Sequence, residues 1–246
     1  MKKIFLHVGF AKCGSTSLQA ALSRAPGILF PTSGNHGGEH LAFILGIRGI
    51  DDWTRQYFNE SWVERENIRL MTEIHEGIGT IVLSSERLAA STPLEIERIG
   101  RVLAGFEVHI VIVKRDIQKY LNSTWRHAVF FHDFGESYDS FVSRFENFSF
   151  GDIESKFSQF FQVHCFNMDS PQYLDDIGGL LGTKLDIEHL NVGVPMDFAK
   201  LLQKTHSLLG SRDFKERFSF ETKQSMLAMW NGEGIREMDS LDVDLF

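Results

Sequence analysis

The chain has 246 residues, with 33 acidic against 25 basic side chains, a formal net charge of -8, and 43% hydrophobic and 24% charged residues. This is the composition of a globular domain large enough to bury a core; it excludes a disordered or fibrous chain. The acidic balance speaks against a broad nucleic-acid surface, so no nucleic-acid partner is expected. Cys13 and Cys165 are the two cysteines, too few for a disulfide framework or a multi-cysteine zinc site. No apolar run approaches the roughly 20 residues of a membrane helix, so no membrane insertion is expected.

Met1-Lys2-Lys3 and the apolar Ile4 to Val8 superficially resemble a leader peptide. The run is short and ends in a glycine-rich turn, so it reads as a first β-strand and the protein as cytoplasmic. A helix is predicted from Ser15 to about Ser23. Residues 32 to 75 begin rich in glycine and histidine and continue as an amphipathic stretch around Trp53 to Ile74. Thr80 to Ser84 reads as a buried strand, and Pro93 opens a helix to about Leu103. Phe106 to Val113 is the strongest strand signal, followed by a helix from Ile117 to Phe131. Phe160 to Phe166 is a weaker strand, Pro171 starts another helix, and beyond Pro195 the pattern is helical. Alternating strands and helices predict an α/β fold, a three-layer parallel sheet with a helical C-terminal cover. One domain is expected over residues 1–246, with about 195–246 as its helical extension.

Between the first strand and first helix stands Gly9-Phe10-Ala11-Lys12-Cys13-Gly14-Ser15-Thr16-Ser17. Two glycines with four residues between them, then Ser-Thr, copy the loop in which backbone N–H groups and a helix N-terminus face an anion. The lysine that nucleotide hydrolases carry after the second glycine is replaced by Ser15, and Lys12 stands inside the loop instead. The alternative is a plain strand–turn–helix junction capped by Ser and Thr. Cys13 lies near a helix N-terminus and Lys12, both expected to lower a thiol pKa. It is read as a spectator thiol, with a redox role as the alternative.

From His7 to Gln19 this segment resembles the 5′-phosphosulfate loop of sulfotransferases that use 3′-phosphoadenosine 5′-phosphosulfate (PAPS), with Cys13 in place of the family's usual threonine. The resemblance implies a P-loop-like fold, PAPS as sulfuryl donor, and Gly9, Ala11, Lys12, Cys13, Gly14, Ser15, Thr16 and Ser17 as its 5′ binding loop. It also implies a 3′-phosphate site made by an arginine at a strand end and a serine eight residues later, here Arg115 and Ser123. In residue terms, Arg115 offers a planar fork to phosphate oxygens, and Ser123 lies two turns into the next helix. The alternative pairs Arg115 with Asp116 or Glu107.

Sulfuryl transfer needs a group that takes the acceptor's proton. Glu86 follows the strand ending at Ser84, at the sheet edge where open α/β sheets bind ligands, and a carboxylate beside an apolar strand end can have its pKa raised. Its alternative is a structural pairing with Arg87 or a helix terminus. His36 and His40 compete as bases or acceptor contacts in a glycine-rich segment, 34 to 38, expected to be mobile until substrate binds. With Glu39 their spacing also permits a metal reading, but the glycines disfavour the helix it needs, so no metal is expected. His127 reads as a helix-face residue, with an acceptor contact as the alternative. The phenylalanines at 130, 131, 134, 141, 145, 148 and 150 read as packing, with an apolar acceptor site or homodimer patch as the alternative. Lys12 and Glu86 are therefore the expected catalytic pair for transfer to a hydroxyl of a carbohydrate or small hydroxylated metabolite. A P-loop small-molecule kinase or NTPase, or a non-catalytic nucleotide-binding protein, are the rival readings.

Overall fold

The computed structural model describes residues 1–52, 54–186 and 193–233. Asn191 and Val192, and the acidic residues from Glu237 on, lie outside the described residues. The chain divides into two compact units, Met1–Asp116 with Ser149–Asn191, and Ile117–Phe148 with Val192–Phe246.

The first unit runs β1 (Lys3–Val8), α1 (Ser15–Arg24), β2 (Ile28–Leu29), α2 (Leu41–Arg48), α3 (Glu60–Glu76), β3 (Thr80–Ser85), α4 (Pro93–Val102) and β4 (Glu107–Lys114). The chain then enters the second unit for α5 (Ile117–His132) and α6 (Tyr138–Ser143). It returns for α7 (Phe150–Ser158), β5 (Gln162–Asn167) and α8 (Tyr173–Leu181). All strand pairs are parallel, in the order β2-β3-β1-β4-β5.

The three central strands are continuous apolar runs because both faces of a parallel sheet are covered. Phe5, Val82, Val111 and Val113 point to one face and pack with Leu18 and Leu22 of α1 and Ile177 and Leu181 of α8. The alternate residues Ile4, Leu6, Ile81, Leu83, Ile110 and Ile112 are fully buried on the other face. Each such side chain contributes about 1.5–3 kcal/mol by leaving water. Helix α4 starts with a capping box: Thr92 accepts from the Glu95 N–H, Glu95 accepts from the Thr92 N–H, and Pro93 fills the first helical position.

The second unit is helical: α5, α6, α9 (Met196–Arg217) and α10 (Phe220–Ala228). Gly210, at φ 77°, breaks α9 with a kink. Trp125, Phe130, Phe198 and Phe214 are fully buried; in the phenylalanine-rich stretch Phe130 and Phe141 are core, while Phe131 is 43% exposed. Lys223, 3% exposed, donates to the Asp133 carboxylate at 2.6 Å. That pairing offsets the large desolvation cost of burying an ammonium group. Among the described residues no helix is long and apolar enough to cross a membrane.

Several elements differ from expectation. Helix α2 presents buried side chains on nearly all sides (Leu41, Ala42, Phe43, Ile44, Leu45 and Ile47), which erases the helical period. Helices α6 and α7 fall in the phenylalanine-rich stretch and are opened by Ser137 and Ser149, whose hydroxyls cap them.

Candidate functional site

Strands β3, β1 and β4 lie side by side, and their carboxyl ends deliver three charged side chains to the first unit. Lys12 follows β1, Glu86 follows β3 and Arg115 follows β4. In the β1–α1 turn, Lys12 and Gly14 both adopt left-handed backbone, at φ 66° and 74°. For Lys12 that conformation costs about 1–2 kcal/mol. Gly14 avoids it, and a Cβ there would also stand 3.3 Å from the Met168 methyl. Gly14 occupies the N-cap of α1 without a side-chain cap, and the first turn holds no acidic residue. The helix therefore begins with its positive end open to an anion.

Two contacts tie the charged groups to this turn. Arg115 donates from Nη1 to the Lys12 carbonyl at 2.8 Å, and its Nε is buried without a partner. Ser15 Oγ donates to Glu86 Oε1. Glu107, one of the sequence alternatives for Arg115, pairs instead with Lys3 and His109. Burial pulls the Lys12 ammonium below its ordinary range, opposed by the neighbouring Glu86 carboxylate. Of the loop's other members, Gly9, Cys13 and Ser15 are buried while Ala11 and Thr16 are exposed, with Ser17 between.

Cys13 requires a correction. Burial pushes its thiol up to about 12; Arg115 acts in the lowering direction and is outweighed, while Glu86 and Asp169 reinforce the rise. The helix terminus and Lys12 do not yield a reactive thiolate.

Glu86 opens a short 3₁₀ turn, Glu86–Ala90, set by Ser85, whose hydroxyl accepts from the Arg87 N–H. The Glu86 N–H donates to Glu39 Oε1 at 2.9 Å, and Arg87 Nε lies 3.9 Å from Glu39 Oε2. Burial pushes the Glu39 carboxyl above its usual range; the Glu86 N–H pulls it down without prevailing. Sequence reasoning counted Glu39 only toward a metal pattern, although a carboxylate amid glycines and histidines was a legible sign. Among the described residues no group of three His, Cys, Asp or Glu could hold a metal ion.

The glycine-rich segment is also more tied down than expected. His36 and Glu39 exchange backbone hydrogen bonds of 2.7 and 3.1 Å, and the Gly38 N–H donates to Asn35 Oδ1 at 3.0 Å. His36 remains exposed, its ring edge-on to Phe58 at 5.1 Å, with Phe58 4.5 Å from Trp62. His40 is not a substrate-facing residue. It is 1% exposed, accepts at Nδ1 from the Ser84 N–H at 3.0 Å and donates from Nε2 to the Pro31 carbonyl at 2.9 Å. Ser123 and His127 lie on α5 in the second unit, where the His127 ring packs on Phe131 at 4.4 Å and His132 at 5.3 Å.

Burial lowers the pKa of both His7 and His40 to about 4, against about 6.5 for a free imidazole. Above pH 6.5 both rings are neutral in folded and unfolded chains, and stability is complete. Between pH 6.5 and 4 the unfolded chain takes up protons that the fold refuses, so stability falls. The expected loss is on the order of 3 kcal/mol for each histidine. Urea unfolding midpoints should therefore drop steeply from pH 7 to pH 4.5; a flat midpoint over that window would contradict the assignment.

No protein-family model matches the chain, and no curated protein matches it. Among solved structures, a sulfotransferase from Alicyclobacillus acidocaldarius aligns with a TM-score of 0.54 at 17% identity, over 94% of this chain and 96% of that one. Together with the five-stranded parallel sheet flanked by helices, this establishes a sulfotransferase-like, P-loop-like α/β fold. The PezAT toxin–antitoxin system of Streptococcus pneumoniae aligns at TM-score 0.38 and 12% identity, over 92% of this chain and 86% of that one. The tunicamycin resistance protein of Deinococcus radiodurans aligns at 0.37 and 15%, over 76% and 100%. Scores of that size carry no weight.

Proposed function

We propose that this chain is a sulfotransferase that moves a sulfuryl group from PAPS to a hydroxyl of a carbohydrate or small hydroxylated metabolite. The observation that carries the reading is the convergence of Lys12, Glu86 and Arg115, from three adjacent strand ends, on one uncapped helix N-terminus. Their chemistry fits the donor. The amides of the Gly9–Thr16 turn suit a 5′-phosphosulfate, and the guanidinium of Arg115, with a buried N–H unsatisfied, suits the 3′-phosphate.

Glu86 takes the proton of the acceptor hydroxyl as that oxygen bonds to sulfur. The sulfur–oxygen bond to the 5′-phosphate breaks, and Lys12 neutralises the charge gathering on the departing oxygen. Adenosine 3′,5′-bisphosphate (PAP) is then the leaving product. Beside Glu39, the exposed His36 and the Phe58–Trp62 pair supply a polar edge and an apolar face for an acceptor. His36→Ala should accordingly act mainly on the acceptor KM.

A 3′-phosphate site separates PAP from AMP and from ATP with magnesium. PAP at 100 times its Kd should stabilise the protein by about 2.7 kcal/mol, read as a rise in Tm. AMP and ATP–Mg at the same concentration should give a much smaller rise; equal shifts with PAP and AMP would remove the 3′-phosphate site from the account.

A further inference from the structure

His7 is the residue next to the loop that the mechanism above leaves unused, and its surroundings are unusual. It lies at the end of β1, 1% exposed, directly opposite Ser84 of β3 in the parallel register. Its Nδ1 is 2.8 Å from Ser84 Oγ, and the same hydroxyl accepts from Gln19 Nε2 at 2.9 Å. The Ser84 hydroxyl accepts from Gln19 and can give its own proton to Nδ1, which matches the tautomer with the imidazole proton on Nε2. That Nε2 is fully buried and has no hydrogen-bond partner. An unsatisfied buried donor costs about 1–3 kcal/mol, so it calls for a role.

The space beside it indicates which group it meets. A Cβ placed on Gly9 would stand 3.1 Å from His7 Cε1, 3.5 Å from His7 Nε2 and 3.4 Å from Glu86 Cγ. The imidazole edge and the Glu86 side chain thus flank the same small gap, kept open by the missing side chain of Gly9. Glu86 meanwhile spends its carboxylate on Ser15 Oγ, the first hydroxyl of the anion-facing helix. An anionic donor in the loop competes for that hydroxyl and repels the carboxylate, which must find another hydrogen-bond donor nearby.

We propose that His7 is the positioning residue of Glu86: when an anion takes the Ser15 hydroxyl, the Glu86 carboxylate accepts from His7 Nε2–H across the Gly9 gap. The contact holds one carboxylate oxygen and leaves the other to receive the acceptor's proton. It also makes base alignment depend on prior occupation of the loop. In the free arrangement burial holds the ring pKa down at about 4, so it meets the carboxylate as a neutral donor. The proposal rests on the donor-site reading above, and on Glu86 as the group that moves.

The test uses ¹⁵N-labelled full-length protein, with PAP and inorganic pyrophosphate as separate probes. In the free protein the His7 ring should be neutral and protonated at Nε2. Either probe should shift the amides of Lys12 to Ser15, and with them the His7 Hε2 resonance downfield. In Glu86→Gln the amide shifts should persist and the His7 response should shrink, because a neutral amide is not repelled by the anion and accepts more weakly than a carboxylate. A proton on Nδ1, or a His7 resonance that ignores a bound probe, would overturn the proposal. A response undiminished in Glu86→Gln would do the same. If neither probe moves the loop amides, the donor-site reading falls and the role of His7 with it. If the spectra behave as expected but PAPS is never turned over, only the sulfuryl reading is lost. In turnover, His7→Asn keeps a partner for Ser84 but loses the Nε2 donor. It should lower kcat roughly 10–100-fold at unchanged PAPS KM, the scale of losing an orienting partner. His7→Gln, whose amide reaches the Nε2 position, should restore most of it; equal loss in both would mark His7 as merely structural.

Discussion

Glu86→Gln is expected to lose roughly 10²–10⁴-fold in kcat while still binding PAP, the range for removing a general base. Glutamine keeps the length of the side chain and can still accept from Ser15 Oγ, so the loop should keep its shape. It cannot take the acceptor's proton. It also removes a negative charge from the mouth of an anion site, so PAP affinity should hold or rise. Initial rates at saturating PAPS, set beside PAP titration, separate these effects. A Glu86→Gln enzyme that remains active while His36→Ala is dead would move the base to the glycine-rich segment.

Lys12→Ala is expected to cut kcat by roughly 10²–10³-fold, as for losing one transition-state charge stabiliser. Alanine retains the Cβ at φ 66° and the carbonyl that Arg115 grips, so backbone strain and the Arg115 contact stay as they are. PAP affinity should change less than kcat, because PAP lacks the group being transferred. Burial lowers the ammonium pKa, so Lys12 already sits in partly dehydrated surroundings. The reverse pattern, a collapse of PAP affinity with turnover preserved at saturation, would reduce Lys12 to a phosphate anchor.

The core of the site was legible because it is local. An apolar strand, two glycines at fixed spacing and a hydroxyl run specify the β1–α1 turn within 15 residues of chain. Glu86 and Arg115 were legible as first charges after strong strands, since strand ends map onto one sheet edge. What escaped depends on distant chain. His40 reads like any histidine among glycines, yet the backbone of Ser84, 44 residues on, makes it structural. Cys13 looked activated by its neighbours in sequence, but the packing around it excludes water and raises its pKa. The unmatched donor of His7 is a consequence of strand register, invisible until Ser84 and Gly9 are placed around it. Helix α2 was lost for a different reason, because a helix buried nearly all round has no polar face to set its period.

The most direct measurement is transfer of label from ³⁵S-PAPS, in the presence of mixed saccharides and hydroxylated metabolites, compared with γ-labelled ATP–Mg under the same conditions. The account predicts ³⁵S on an acceptor hydroxyl with release of PAP, lost in Glu86→Gln, and no phosphoryl transfer from ATP. Phosphorylated product from ATP, with PAPS left intact, would contradict it.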